Sequence, residues 1–130
     1  MSDAIVKNKK VLVIEDEVAL LQALVDKLTR EGFIALSAQD GAKGLETALR
    51  EKPDVILLDL VMPEMTGLDV LKNLRNGDTW GKEVPVIILS NLSAHERLMR
   101  ELAEQKPTDF LIKGEVKIEE VIRKIKEAVA

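Results

Sequence analysis

Hydrophobic and polar positions along this chain follow two alternating rhythms. The first is a set of short apolar runs: Val11-Leu-Val-Ile14, Phe33-Ile-Ala-Leu36, Val55-Ile-Leu-Leu58, Val84-Pro-Val-Ile-Ile-Leu89 and Thr108-Asp-Phe-Leu-Ile112. Runs this short, rich in branched residues and closed by turn or polar residues, suit strands buried on both faces. The second rhythm has helical period. Val18, Leu21, Leu24, Val25 and Leu28 share a face over residues 17–31, and Gly32 follows as a helix-ending glycine. Asp40 is placed to cap a helix through about residue 50, with Ala42, Leu45, Ala48 and Leu49 inward. Leu68, Leu71 and Leu74 mark a helix over 67–75, and residues 76–81 read as a loop carrying Trp80. Ser93 is placed to cap a fourth helix to about residue 105. A fifth, over 116–129, carries Ile118, Val121, Ile122, Ile125 and Val129.

Strand and helix alternating five times predict an α/β fold with a parallel five-stranded sheet and helices on both faces, a three-layer (βα)5 unit. Right-handed crossovers leave few strand orders, and the flavodoxin-like order 2-1-3-4-5 is expected. At 130 residues the chain is the size of one domain. Residues 1–8 read as a flexible polar tail and 9–130 as the domain. Apolar residues make up 46 %, enough for a real core. There is no cysteine, so no disulfide or thiolate metal site. No apolar run has the length of a membrane span or the form of a signal peptide, which makes a cytoplasmic protein without membrane contact the expectation. Net charge is −4 and the aromatics are two Phe and one Trp, a poor composition for direct nucleic-acid binding.

In a parallel sheet all strands end on one edge, where open α/β sheets place their chemistry. The first strand brings Glu15 and Asp16 there, the third Asp59, the fourth Ser90 and the fifth Lys113. Clustered carboxylates repel, and a divalent cation relieves the repulsion. With oxygen donors only, a hard ion such as Mg²⁺ is favoured over zinc. A metal, a lysine and a hydroxyl around one carboxylate can stabilise a transferring phosphoryl group. Asp59 is the natural nucleophile, since carboxylates form acyl-phosphates.

With these residues in place the chain resembles the response-regulator receiver domains of two-component signalling over residues 9–129. The resemblance rests on Glu15-Asp16, Asp59 with Met62-Pro63 and Gly67, Ser90, and Asp109-Phe110 with Lys113. It implies that Asp59 accepts a phosphoryl group from a sensor histidine kinase or phosphotransfer protein. It implies that Asp16, Asp59 and the backbone carbonyl of Val61 hold Mg²⁺, that Glu15 holds metal-bound water, and that Lys113 pairs with phosphoryl oxygens. Ser90 and Phe110 are implied as the switch, acting on a helix 4–strand 5–helix 5 face that signals to a downstream protein. The implied role is regulatory, not that of an enzyme with a separate substrate. A stand-alone receiver or relay intermediate is the expectation, with a receiver excised from a longer regulator or hybrid kinase as the alternative.

Three positions depart from the family pattern. Glu15 stands where Asp is commoner. Asn91 follows Ser90 where a small residue is usual, which bears on phosphate lifetime. Gly114 replaces the proline that usually follows the lysine in a cis bond; a cis bond without proline costs about 3 kcal/mol, so a trans peptide or a more mobile loop is expected. Rival readings fit less well. An aspartyl-nucleophile phosphatase needs a second Asp where Val61 stands. A flavin-nucleotide carrier would meet repulsion from Glu15-Asp16-Glu17, and no Gly-rich phosphate loop follows any strand. A pseudo-receiver without phosphorylation sits poorly with Asp59, Ser90 and Lys113 all present. His95 reads as a solvated helix residue, and Trp80 as packing against the third helix.

Overall fold

The structure, a computed structural model, describes residues 6–90 and 96–130. Asn91, Ser93 and His95, singled out above, lie outside the described residues. The strands are β1 (Lys10–Ile14), β2 (Ile34–Ala38), β3 (Val55–Leu58), β4 (Val86–Ser90) and β5 (Asp109–Ile112). The principal helices are α1 (Val18–Arg30), α2 (Gly41–Glu51), α3 (Gly67–Arg75), α4 (Glu96–Glu104) and α5 (Ile118–Val129). All strand pairs are parallel, and the sheet order is β2-β1-β3-β4-β5, as expected.

The period-2 geometry of the strands splits their apolar runs between two cores. Leu12, Ile14, Ile56, Leu58 and Ile88 face one side, with Ala48 of α2, Leu71 and Leu74 of α3 and Leu102 of α4. Val11, Val13, Val55, Leu57, Ile87 and Leu89 face the other, with Leu24 and Leu28 of α1 and Ile122 and Ile125 of α5. Apart from Lys10 at the start of β1 and Ser90 at the end of β4, the central strands β1, β3 and β4 are therefore apolar throughout.

Several details differ from the sequence reading, each for a physical reason. Val6, assigned to the polar tail, is 1 % exposed and packs with the α1 core, close to Gly32. Gly32 closes α1 at φ +103°, a conformation that favours glycine. In α2 the inward face is Gly41, Gly44 and Ala48, while Ala42 is exposed and Leu49 is 46 % exposed. A Cβ on Gly44 would stand 2.6 Å from Ile14 Cδ1, so the helix lies too close to β1 for a side chain there. A hydrophobicity pattern cannot count a glycine as inward, and the predicted phase was shifted accordingly. Val18, at the start of α1, is exposed as well.

The loop predicted at 76–81 contains the start of a short helix, Thr79–Glu83, capped by Asp78, whose Oδ1 accepts from Gly81 N at 2.9 Å. Trp80 joins the α3-side core, and its Nε1 donates to the Pro53 carbonyl at 3.1 Å. Asp40 caps α2 as predicted, accepting from Lys43 N at 2.8 Å.

Candidate functional site

The sheet edge collects the predicted side chains. Each arrives by backbone pairing of its strand. Glu15 N donates to Ala38 O at 3.0 Å, Asp59 N to Ile14 O at 2.9 Å, and Lys113 N to Ser90 O at 2.8 Å. These bonds tie β1 to β2 and β3 and tie β5 to β4, and with Leu58 paired to Ile88 the ends of β1, β3, β4 and β5 meet on one edge. Beyond β3 the chain turns back at once, with Gly67 N donating to Leu60 O at 2.9 Å. The turn is held by a capping box at the start of α3. Thr66 Oγ1 accepts from Asp69 N at 3.2 Å, and Asp69 accepts from Thr66 N at 3.1 Å.

Carboxylate oxygens of Glu15, Asp16 and Asp59 all lie within 4.8 Å of one another. Glu15 and Asp59 are 2 % and 3 % exposed, while Asp16 faces solvent. Ser90 is fully buried at the end of β4. Lys113 reaches into the cluster from the end of β5. Its Nζ is 2.8 Å from Glu15 Oε1 and 3.5 Å from Asp59 Oδ2. Asp59 Oδ1 also accepts from Val61 N at 3.3 Å. The Lys113–Gly114 peptide is trans, as expected without proline.

The charge balance is unfavourable. Burial, and then the neighbouring Glu15 carboxylate, push Asp59 up to about 7 against the opposing pull of Lys113. For Lys113, burial works against the ammonium, but hydrogen bonds to Glu15 and Glu17 outweigh it and hold the group above the usual lysine range. One ammonium is shared among more carboxylates than it can neutralise. An all-oxygen donor set with surplus negative charge is what a hard divalent cation fits.

Two contributors escaped the sequence reading. Glu17 was noted only as part of an acidic triplet, yet its carboxylate lies 2.7 Å from Lys113 Nζ. Gly67 stands in the sequence only as the first residue of a helix. In fact a Cβ there would stand 2.2 Å from Asp59 O and 2.7 Å from Leu60 Cα, so α3 abuts the backbone that carries Asp59. The capping box was legible as Thr66-x-x-Asp69; the other two contacts had no local signal.

Residues 11–126 match the response regulator receiver domain family, and the chain belongs to it. The family is one of regulatory phospho-acceptors in two-component signalling, not of enzymes acting on a separate substrate. Among relatives, a probable transcriptional regulator, ycf27, of Porphyridium aerugineum is 32 % identical over 128 residues, covering 94 % of this chain and 51 % of that protein. The response regulator PleD of Caulobacter vibrioides is 36 % identical over 106 residues, covering 82 % of this chain and 23 % of that protein. The chain thus spans about half or less of the length of these curated relatives. Among solved structures, the receiver domain of Francisella response regulator 1452 has a TM-score of 0.81 at 32 % identity, covering 94 % of this chain and 97 % of that one. The chemotaxis protein CheY4 of Vibrio cholerae has a TM-score of 0.83 at 26 % identity, covering 93 % and 98 %. Among the described residues, no helix is long and apolar enough to cross a membrane.

Proposed function

We propose that Asp59 is the phospho-acceptor of this receiver and that a phosphohistidine on a sensor kinase or phosphotransfer protein is the donor. The observation that carries this reading is the buried Asp59 carboxylate, grouped with two further carboxylates and 3.5 Å from the Lys113 ammonium. In the step proposed, an Asp59 carboxylate oxygen attacks phosphorus in line. The O–P bond of an acyl-phosphate forms as the P–N bond breaks, and the histidine imidazole leaves, taking up a proton.

Asp16, Asp59 and the Val61 carbonyl would hold Mg²⁺, with Glu15 reaching it through water. Bound there, the ion would offset the carboxylate charge and draw electron density from the phosphoryl oxygens. The chain's own groups supply the rest. Lys113 neutralises phosphoryl charge at the β5 end. Ser90, at the β4 end, donates its hydroxyl toward the new anion. Burial of Asp59 excludes bulk water from the reacting face.

The new charge is read out on the face made by α4, β5 and α5. Phosphorylation adds about two negative charges and strong acceptors at one strand end. Phe110 pairs with Ile88 across β4 and β5 and is half-buried against the α3-side core, a position from which it can take a deeper or shallower packing. Asp109, its neighbour, ties β5 to α5 through Lys124 at 3.2 Å. A change at Ser90 and Phe110 therefore has a short path to the surface that a downstream partner would read.

The test is phosphorylation with a small donor such as acetyl phosphate, with and without Mg²⁺, read by intact mass. One metal-dependent phosphoryl is expected, absent in Asp59→Asn. Equal labelling of Asp59→Asn would overturn the assignment.

A further inference from the structure

Glu17 occupies the N-cap position of α1, yet its side chain makes no capping hydrogen bond to its own helix. The carboxylate turns the other way and accepts from Lys113 Nζ at 2.7 Å. Its backbone N–H donates to Glu15 Oε2 at 3.0 Å, and Glu15 Oε1 in turn lies 2.8 Å from the same ammonium. Glu15, Glu17 and Lys113 thus close a ring, with Asp59 outside it at 3.5 Å from Nζ. The partners differ in exposure. The Glu15 side chain is 2 % exposed, but that of Glu17 is 58 % exposed, so its carboxylate can be released to water at little cost.

We propose that Glu17 is a positioning residue for Lys113, a solvent-facing counter-ion that competes with Asp59 for the ammonium and must let go before Lys113 closes on a phosphoryl group. The inference rests on the reading of Asp59 as phospho-acceptor. In this arrangement the lysine is parked when Asp59 is unmodified and is drawn across when phosphoryl oxygens offer a better acceptor. Holding the lysine back slows the approach to the transition state, because its charge stabilisation is supplied only after the Glu17 bond breaks. The capping potential of α1, left unused, is what leaves the carboxylate available for this task.

Two substitutions separate a bond to Lys113 from a charge acting at range. Glu17→Gln removes both the charge and the strong bond. Glu17→Asp keeps the charge, draws the carboxylate back from Nζ by one methylene, and suits the helix N-cap. Initial phosphorylation rates are measured with acetyl phosphate and saturating Mg²⁺ by intact mass, with Asp59→Asn as the unlabelled control and thermal melts to confirm folding. Both variants are expected to label about threefold faster than the parent, the size an exposed ion pair supports. A faster Glu17→Gln with Glu17→Asp at the parent rate would show that charge alone steers the donor, and would overturn the proposal. So would parent rates in both variants, or slower ones. Failure of the parent itself to label at Asp59 would instead bring down the phospho-acceptor reading, and this proposal with it.

Discussion

Gly67 lies against Asp59 so closely that a Cβ at position 67 would stand 2.2 Å from the Asp59 carbonyl oxygen. The first turn of α3 and the strand end that presents the acidic side chain pack backbone against backbone. The obstruction is backbone, which cannot swing aside as a side-chain tip can. Gly67→Ala is therefore expected to displace the Asp59–Leu60 segment, lower stability by about 2 kcal/mol, and reduce phosphorylation from a small donor at least tenfold. Urea unfolding and mass-resolved labelling check the two effects separately.

Burial and Glu15 raise Asp59 to about 7 in the folded chain, against an ordinary value of 3.8. Between those two values the folded state holds more protons than the unfolded state, so metal-free stability falls as pH rises from about 4 to 7 and levels off above. Asp59→Asn removes the titration. The variant is expected to exceed the parent by a few kcal/mol at pH 8, with the gap closed only near about pH 4. Thermal melts at the two pH values, without divalent metal, measure it. A gap equal at both would contradict the buried-carboxylate account.

The same acidic cluster predicts how Mg²⁺ acts on the fold. A ligand bound to the native state alone stabilises it by mass action, by about 2.7 kcal/mol at 100 times its dissociation constant. Protons compete for Asp59, so the rise in melting temperature with added Mg²⁺ is expected to be larger at pH 8 than at pH 6. It is expected to shrink sharply in Asp16→Asn. Calcium-free titrations followed by differential scanning calorimetry read both effects.

Arg75, at the end of α3, is half-buried and donates to four carbonyls. Nε reaches Gln105 O at 2.8 Å, Nη1 reaches Gly81 O at 2.9 Å and Val84 O at 2.8 Å, and Nη2 reaches Lys106 O at 3.1 Å. One side chain thus ties together α3, the short helix, the approach to β4 and the exit of α4. Arg75→Met leaves those carbonyls without their donor and is expected to cost about 3 kcal/mol. Arg75→Lys, a point charge without the planar fork, is expected to recover less than half. Urea midpoints give the comparison.

On α2 the apolar pattern and the packing disagree, which makes a paired test. Leu49→Gln, at an exposed position, is expected to change stability by less than about 0.5 kcal/mol. Gly44→Ala, which presses a Cβ into the Ile14 side chain, is expected to cost about 1–3 kcal/mol. The reverse ranking would mean that α2 packs on its apolar stripe after all.

Sequence alone determined the things that local chemistry decides. Strand against helix followed from run length and period, since a buried parallel strand must be apolar on both faces. Handedness of crossovers left few strand orders, among which the flavodoxin-like 2-1-3-4-5 was the one expected. The meeting of Glu15, Asp16, Asp59, Ser90 and Lys113 followed from parallelism, because five strands running one way share one edge. Tertiary structure alone decided the distances of closest approach. Nothing local marks Gly44 as inward or Gly67 as touching Asp59, since both facts depend on how near two backbones come. Val6 became core only because the turn into β1 folds it back beside Gly32. Glu17 sits at the N-cap of α1 without a capping bond. That it grips Lys113, 96 residues away, depends on strands β1 and β5 ending at the same level.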